Sequence, residues 1–194
     1  MRVRALLTTV FVVIFFSAFM FYQFSKADEQ TSLPKADNGY LDLSGYELSD
    51  SDPIRLDGEW EFVHGKLVQS DYFVSQNQFL YVSVPSLWRN YEMDGSPIPR
   101  YTSATYHLTV KVNPNDQNLA IKTTNIRMSN SLYINGELVK QSGKPAEDRS
   151  YVQGNNPYVA SIYAADPMID IVIHVANFDY ATGGGILGSL YFGD

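Results

Sequence analysis

Two patterns of apolar and polar residues divide the chain. Ala5 to Phe24 reads ALLTTVFVVIFFSAFMFYQF, twenty residues without a charge. Beyond residue 30 the apolar positions come in short runs that alternate with polar ones, and no stretch holds a period of 3.6 for more than two turns. Alternation with period two is the mark of a half-buried strand. It predicts strands over Asn38–Ser44, Ile54–Phe62, Leu80–Val84, Thr105–Val112, Leu119–Thr123, Ser131–Val139, Tyr158–Ile162, Asp170–Asn177 and Ile186–Phe192. In the second of these Trp60 and Phe62 share one face and Glu59 and Glu61 the other, with Asp57-Gly58 as a turn leading in. Thr105–Val112 places Tyr106, Leu108, Val110 and Val112 on its apolar face and His107 on its polar face, where solvent or an inter-strand hydrogen bond accounts for it. Asp170–Asn177 is apolar on both faces for much of its length, as a central strand is. Glu92–Pro99, Asn113–Asp116, Lys144–Asn156 and Gly183–Gly185 carry the Gly, Pro and Asn of loops. Trp60 is assigned to the core and Trp88 to one end of it.

Asn135-Gly136 sets the register of one pair. Asn-Gly between short β-prone runs is the strongest local hairpin signal, because both central residues of a type I′ turn take positive φ. A two-residue loop then opposes Ile134 to Glu137, Tyr133 to Leu138 and Leu132 to Val139, giving apolar pairs on both faces. Such a hairpin is marginal alone and calls for more strands around it. About nine or ten short strands with few helices predict an all-β, antiparallel two-sheet sandwich of jelly-roll type over residues 39–194.

The apolar run is long enough to span a hydrocarbon core of roughly 30 Å as a helix. Arg2 and Arg4 precede it and Asp28 and Glu29 follow it, so the basic flank stays cytoplasmic and the remainder is placed outside the cell. Residues 1–24 are expected to form a retained single-pass anchor, since the run exceeds the roughly 7–15 residues of a secretory apolar region. Cleavage at Ser25-Lys26-Ala27, giving a secreted domain, is the alternative. Residues 25–38, polar and holding Pro34, read as a linker. Without Arg2 and Arg4 the rest carries 12 basic against 21 acidic side chains, a formal charge of −9, with no clustered Lys and Arg along the sequence, which argues against nucleic acid as a partner. Cysteine is absent, so packing alone must hold the fold.

The series Leu56-x-Gly58-x-Trp60-x-Phe62, Val84-Pro85-x-x-Trp88, Ala104-Thr105-Tyr106, Leu132-x-Ile134-Asn135-Gly136-x-x-Val139 with Gly143, and Val175-x-Asn177 with Gly184 resembles a known β-sandwich. It is similar to the N-terminal, galactose-binding-like sugar-binding domain of family-two glycoside hydrolases. It is closer still to the related extracytoplasmic domain of bacterial seven-transmembrane receptors with diverse intracellular signalling modules and of membrane histidine kinases. The resemblance covers about Gly39 to Gly193 and implies fold and location more than activity. The hydrolases carry their catalytic carboxylates on a separate barrel to which nothing here corresponds, and the receptors continue into membrane helices, whereas this chain stops at Asp194.

Candidate chemistry narrows the function. His64, His107 and His174 lack the spacing of zinc ligands. Asp50 with Asp52, and Asp116 with Asn113 and Asn115, are oxygen-rich but fall short of a calcium ligand set and read as solvated turns. No Gly-x-Ser-x-Gly is present, and Gly184-Gly185 precede no helix that would cradle a phosphate. No metal, cofactor or catalytic residue is therefore expected. Arg100, Tyr101, Tyr106, Tyr151, Asn177, Asp179 and Tyr180 lie mostly in loops or at strand ends, and pair aromatic rings with amide and charged groups as a sugar-like ligand requires. By resemblance to the hydrolases, the loop Asn177–Gly185 is the best single candidate for the ligand-facing side. The expectation is a non-catalytic, membrane-anchored sensing or interaction module that takes a small molecule or carbohydrate and engages a membrane signalling protein. The alternative is a carbohydrate-binding accessory domain, and a remnant of a glycosidase is a third reading.

Overall fold

The structure is a computed structural model and describes residues 14–20, 33–49, 51–76 and 78–194. Residues 14–20 are helical; the rest of the apolar run, and with it the expected anchor, lies outside the described residues. No helix among the described residues is long and apolar enough to cross a membrane. Pro34–Asp194 forms one compact unit, described below by itself.

Among the described residues two main sheets carry the fold. The larger runs in the order β11 (Glu137–Ser142), β10 (Ser129–Ile134), β13 (Met168–Asn177), β7 (Thr102–Lys111), β3 (Gly58–His64) and β4 (Leu80–Val84), with β1 (Tyr40–Asp42) also on β7. The smaller runs β12 (Val159–Tyr163), β8 (Asn118–Lys122), β15 (Tyr191–Gly193) and β2 (Ile54–Arg55). Two short pairs, β5 (Glu92–Met93) with β6 (Ser96–Pro97) and β9 (Ile126–Arg127) with β14 (Gly185–Ile186), complete it. The all-β sandwich expected from alternation is present, with one exception to its antiparallel pairing. β3 pairs with β7 only from Ala104 to His107, which leaves the edge of Thr109–Lys111 open, and β1 fills it in parallel.

One core lies between the sheets. Trp60 and Phe62 of β3, Tyr106, Leu108 and Val110 of β7, and Ile169, Ile171, Ile173 and Val175 of β13 meet Leu119 and Ile121 of β8, Ile162 of β12 and Phe192 of β15. The Trp60 indole N–H donates to the Leu56 carbonyl at 2.9 Å, so this ring is buried with its one polar atom satisfied.

Three predicted elements differ in detail. Ile54–Phe62 is two strands, because the chain crosses from the small sheet to the large one at Leu56-Asp57. Ile186–Phe192 likewise divides between β14 and β15. The hairpin turns at Asn135 (φ 50°) and Gly136 (φ 82°), and Ile134 faces Glu137 and Tyr133 faces Leu138 as expected. Leu132, however, faces Lys140 rather than Val139, because a bulge intervenes. The extra residue lets Val139 turn toward the core, against which it packs partly buried.

The outer face of the large sheet is roofed by a segment the alternation did not reveal. Residues 65–76 cross it and include the short helix α1 (Ser70–Ser75). Val68 N–H donates to Thr105 Oγ1 (3.0 Å), the Thr105 hydroxyl donates to the Lys66 carbonyl (2.8 Å), and His174 Nε2–H donates to the Val68 carbonyl (2.7 Å). Phe73 of α1 stacks on His107 at 4.4 Å between ring centres. Beneath it the His107 imidazole is held between Glu61 and Asp170, one carboxylate on each ring nitrogen. Burial works against charge on this imidazole, but the bonds to Asp170 and Glu61 outweigh it and lift the pKa from 6.5 to about 9. His174 goes the other way: burial lowers its pKa, so it stays neutral and bonds a carbonyl.

The raised value in the fold fixes the sign of a pH effect. A cation favoured by folding stabilises fully below the unfolded value of 6.5 and loses that contribution as pH rises through about 9. Urea denaturation should therefore give stability lower by on the order of 2 kcal/mol at alkaline pH than near neutrality. His107→Gln should flatten that part of the profile; superimposable profiles for the two proteins would refute the assignment.

Candidate functional site

The start of β7 and the end of β13 meet at one end of the large sheet, where Thr102 pairs with Asn177. That pairing brings Arg100 and Tyr101, which lead into β7, beside the loop that leaves β13. Asn177 organises the junction. Its side-chain amide donates to the Arg100 carbonyl (2.8 Å) and the Tyr180 carbonyl (2.9 Å), and its side-chain carbonyl accepts the Tyr180 N–H at 2.9 Å. Beyond it the glycines press onto Trp88: a Cβ at Gly184 would lie 2.5 Å from Trp88 Cη2, so only glycine lets the loop close over the indole. The Ser86 and Trp88 amides donate to the Ile186 and Gly184 carbonyls, at 2.7 and 3.1 Å.

Side chains from three other places reach the same loop. The Tyr151 hydroxyl donates to Asp179 Oδ2 at 2.7 Å, its ring lies 5.5 Å from that of Phe178, and Arg149 donates to Asp179 Oδ1 at 3.3 Å. Burial, and then the bond to Asp179, raises the Tyr151 pKa and keeps the hydroxyl a donor. Arg127, at the end of β9, holds its guanidinium 4.5 Å above the centre of the Tyr180 ring and donates to Thr182 Oγ1 at 3.1 Å. Arg100 donates from Nη1 to the Ala181 carbonyl at 3.3 Å. The result is an exposed patch of rings and guanidinium groups on a braced loop.

The structure gathers the sequence-derived candidates unevenly. Arg100, Asp179 and Tyr180, the last at 42% exposure, lie on this patch, and Tyr101, next to Arg100 in the chain, is exposed at 41%. Tyr151, at 8%, braces it from beneath. Tyr106 and Asn177, both at 0%, do not reach solvent in this structure, and their places as ligand contacts are corrected here. Tyr106 packs edge-on against Phe62 at 4.9 Å in the core, and Asn177 spends its amide on the loop. Arg127 and Arg149 escaped sequence reading because neither neighbours the loop along the chain. Clefts of about 550 Å³ between Leu138 and Tyr163, and of about 520 Å³ between Tyr72 and Met93, contain none of the candidates.

Several of the other polar residues singled out in the sequence have local partners. His64 bonds Thr102 Oγ1 at 3.0 Å, and with His107 and His174 committed as above the histidines do not converge. Asn113 Oδ1 accepts the Asn115 amide of its own turn at 3.0 Å, and Asp50 lies outside the described residues. Among the described residues no group of three or more His, Cys, Asp or Glu side chains is arranged to hold a metal ion.

No protein-family profile and no curated protein matches the chain in sequence. In structure it is similar to a β-glucuronidase of Faecalibacterium prausnitzii (TM-score 0.56, 14% identity, covering 73% of this chain and 31% of that one). It is also similar to the β-glucuronidase of Ruminococcus gnavus (0.54, 14%, 76% and 30%). A third likeness is to a family-two β-galacturonidase of Eisenbergiella tayi bound to galacturonate (0.53, 14%, 78% and 26%). The chain thus spans about three tenths of the length of these enzymes. At such identity the likeness is one of fold, a β-sandwich shared with part of each of these enzymes.

If Asn177 is the brace, Asn177→Ala leaves two part-buried carbonyls and an amide without their side-chain partner. The expected loss is on the order of 2–4 kcal/mol by urea denaturation, with faster hydrogen exchange at the Tyr180 amide. Exchange at Tyr180 as slow as in the parent protein would show that the loop is held by something else.

Proposed function

We propose that this chain is a non-catalytic carbohydrate-binding domain, and that the patch around Tyr101 and Tyr180 is where the sugar sits. One observation carries the reading: the exposed Tyr180 ring and hydrogen-bonding groups stand together on a loop made rigid by Asn177, Tyr151 and Trp88, and the exposed Tyr101 follows Arg100, which bonds that loop. A sugar ring presents C–H faces that pack on aromatic rings and hydroxyls that need fixed partners, and a braced loop supplies both without an ordering penalty on binding. The shared fold supports the choice. The enzymes that the chain resembles in structure are named as acting on glucuronides or galacturonides, which favours carbohydrate over the signalling role expected from sequence. The absence of catalysis is part of the proposal. Asp179, the carboxylate of the patch, is already engaged by Tyr151 and Arg149 and is poorly placed to act as acid or base. Display outside the cell, on a membrane anchor at residues 5–24, rests on the uncharged run and the arginines before it.

The test is binding of the full chain to a panel of soluble and insoluble glycans. Tyr180→Ala and Tyr101→Ala should each weaken retention about tenfold, near 1.4 kcal/mol, while the melting temperature stays within a few degrees. A folded protein retained by no glycan in the panel would overturn the reading.

A further inference from the structure

Charge at this loop points to the class of sugar. The chain is acidic, with 21 Asp and Glu against 14 Lys and Arg. Even so, Arg100, Arg127 and Arg149 all donate to the stretch Asp179–Thr182, which spans no more than about 10 Å. Arg149 has its counter-charge in Asp179. Among the described residues no carboxylate lies within ion-pair distance of Arg100 or Arg127, whose partners are a backbone carbonyl and a hydroxyl. Each of those neutral contacts occupies one edge of a planar group with several donors and leaves its charge uncompensated.

We infer that the ligand is a saccharide bearing a carboxylate, with Arg100 and Arg127 taking the carboxylate and the exposed faces of Tyr101 and Tyr180 taking the ring. A bare anion has no use for the rings, and a neutral sugar has no use for surplus guanidinium groups. A carboxylated pyranose uses both. The guanidinium fork matches a carboxylate in two parallel hydrogen bonds, and the stacking of Arg127 on Tyr180 at 4.5 Å holds that fork beside the platform on which the ring would lie. The inference rests on the carbohydrate-binding reading and deepens it.

The experiment is affinity electrophoresis of the full chain in mild detergent through gels containing polygalacturonate or dextran, paired with thermal shifts against galacturonate and inorganic phosphate. Polygalacturonate should retard the protein and dextran should not, with retardation weakening as salt is raised. Arg127→Gln and Arg100→Gln should each lower the affinity about tenfold or more, with Arg127→Lys intermediate and Lys140→Gln, on the exposed β11, unchanged. Equal retardation by dextran would overturn the acidic class and leave sugar binding standing, whereas retardation by neither polymer nor any other glycan would overturn both. Phosphate protecting as well as galacturonate would overturn the saccharide part. Full affinity in a folded Arg127→Gln protein would overturn the assignment to this loop.

Discussion

Burial of both faces of β7 and β13 imposes the conditions that the rest of the unit meets. These are the longest strands, ten residues each, and they pair along their whole length at the middle of the large sheet. Their inner face is apolar and needs only a second sheet. Their outer face carries Thr105, His107, Asp170 and His174, and a roof over such residues has to match most of the donors and acceptors that it buries. The segment 65–76 answers that need with its backbone as much as with its side chains. It offers a carbonyl to His174, an amide and a carbonyl to Thr105, and the Phe73 ring to the face of His107. The roof is therefore held by polar matching around one apolar contact.

The same two strands decide where a ligand-facing loop emerges. Since Thr102 and Asn177 are paired, the chain entering β7 and the chain leaving β13 are adjacent by register, and Asn177 converts adjacency into a fixed junction. Loops on sheet ends are ordinarily the mobile parts of a sandwich. Here Asn177, Tyr151 and the packing of Gly184 on Trp88 tie the loop at its start, middle and end. What remains exposed after that tying is the set of rings and guanidinium groups.

Sequence patterning conveyed the strands better than their partners. Period two identifies β3, β4, β7 and β8 because an apolar face alternates with a polar one residue by residue, β13 shows as an apolar run, and Asn135-Gly136 specifies its turn because few other residues accept positive φ there. Leu56-Asp57 and Leu187–Leu190 gave no such sign, since a strand that changes sheets keeps its alternation through the crossover. The roof was invisible for a related reason: α1 has six residues and buries Phe73 alone, too little for any helical period. Tyr106 shows a signal present but set aside. It alternates with Leu108 and Val110, which places it in the core, whereas its appeal as a ligand contact came only from its being a tyrosine near a strand end. Arg127 and Arg149 reach the loop from fifty-two and thirty residues before Asp179, and nothing local to either announces that.

The two charged clusters of the unit have opposite designs, and the contrast is the reason for looking to one of them for binding. His107 is enclosed, stacked upon, and matched by a carboxylate at each nitrogen, so its charge is already answered within the fold. A group in that state stabilises structure and has little left to offer a ligand. Arg100 and Arg127 stand at the surface with neutral partners and keep most of their hydrogen-bonding capacity. In a protein of net negative charge, cations placed together without counter-charges raise the energy of the free state, and an arriving anion relieves it. Binding is therefore expected where the fold leaves charge unanswered on a rigid platform, and at the loop after Asn177 both conditions hold.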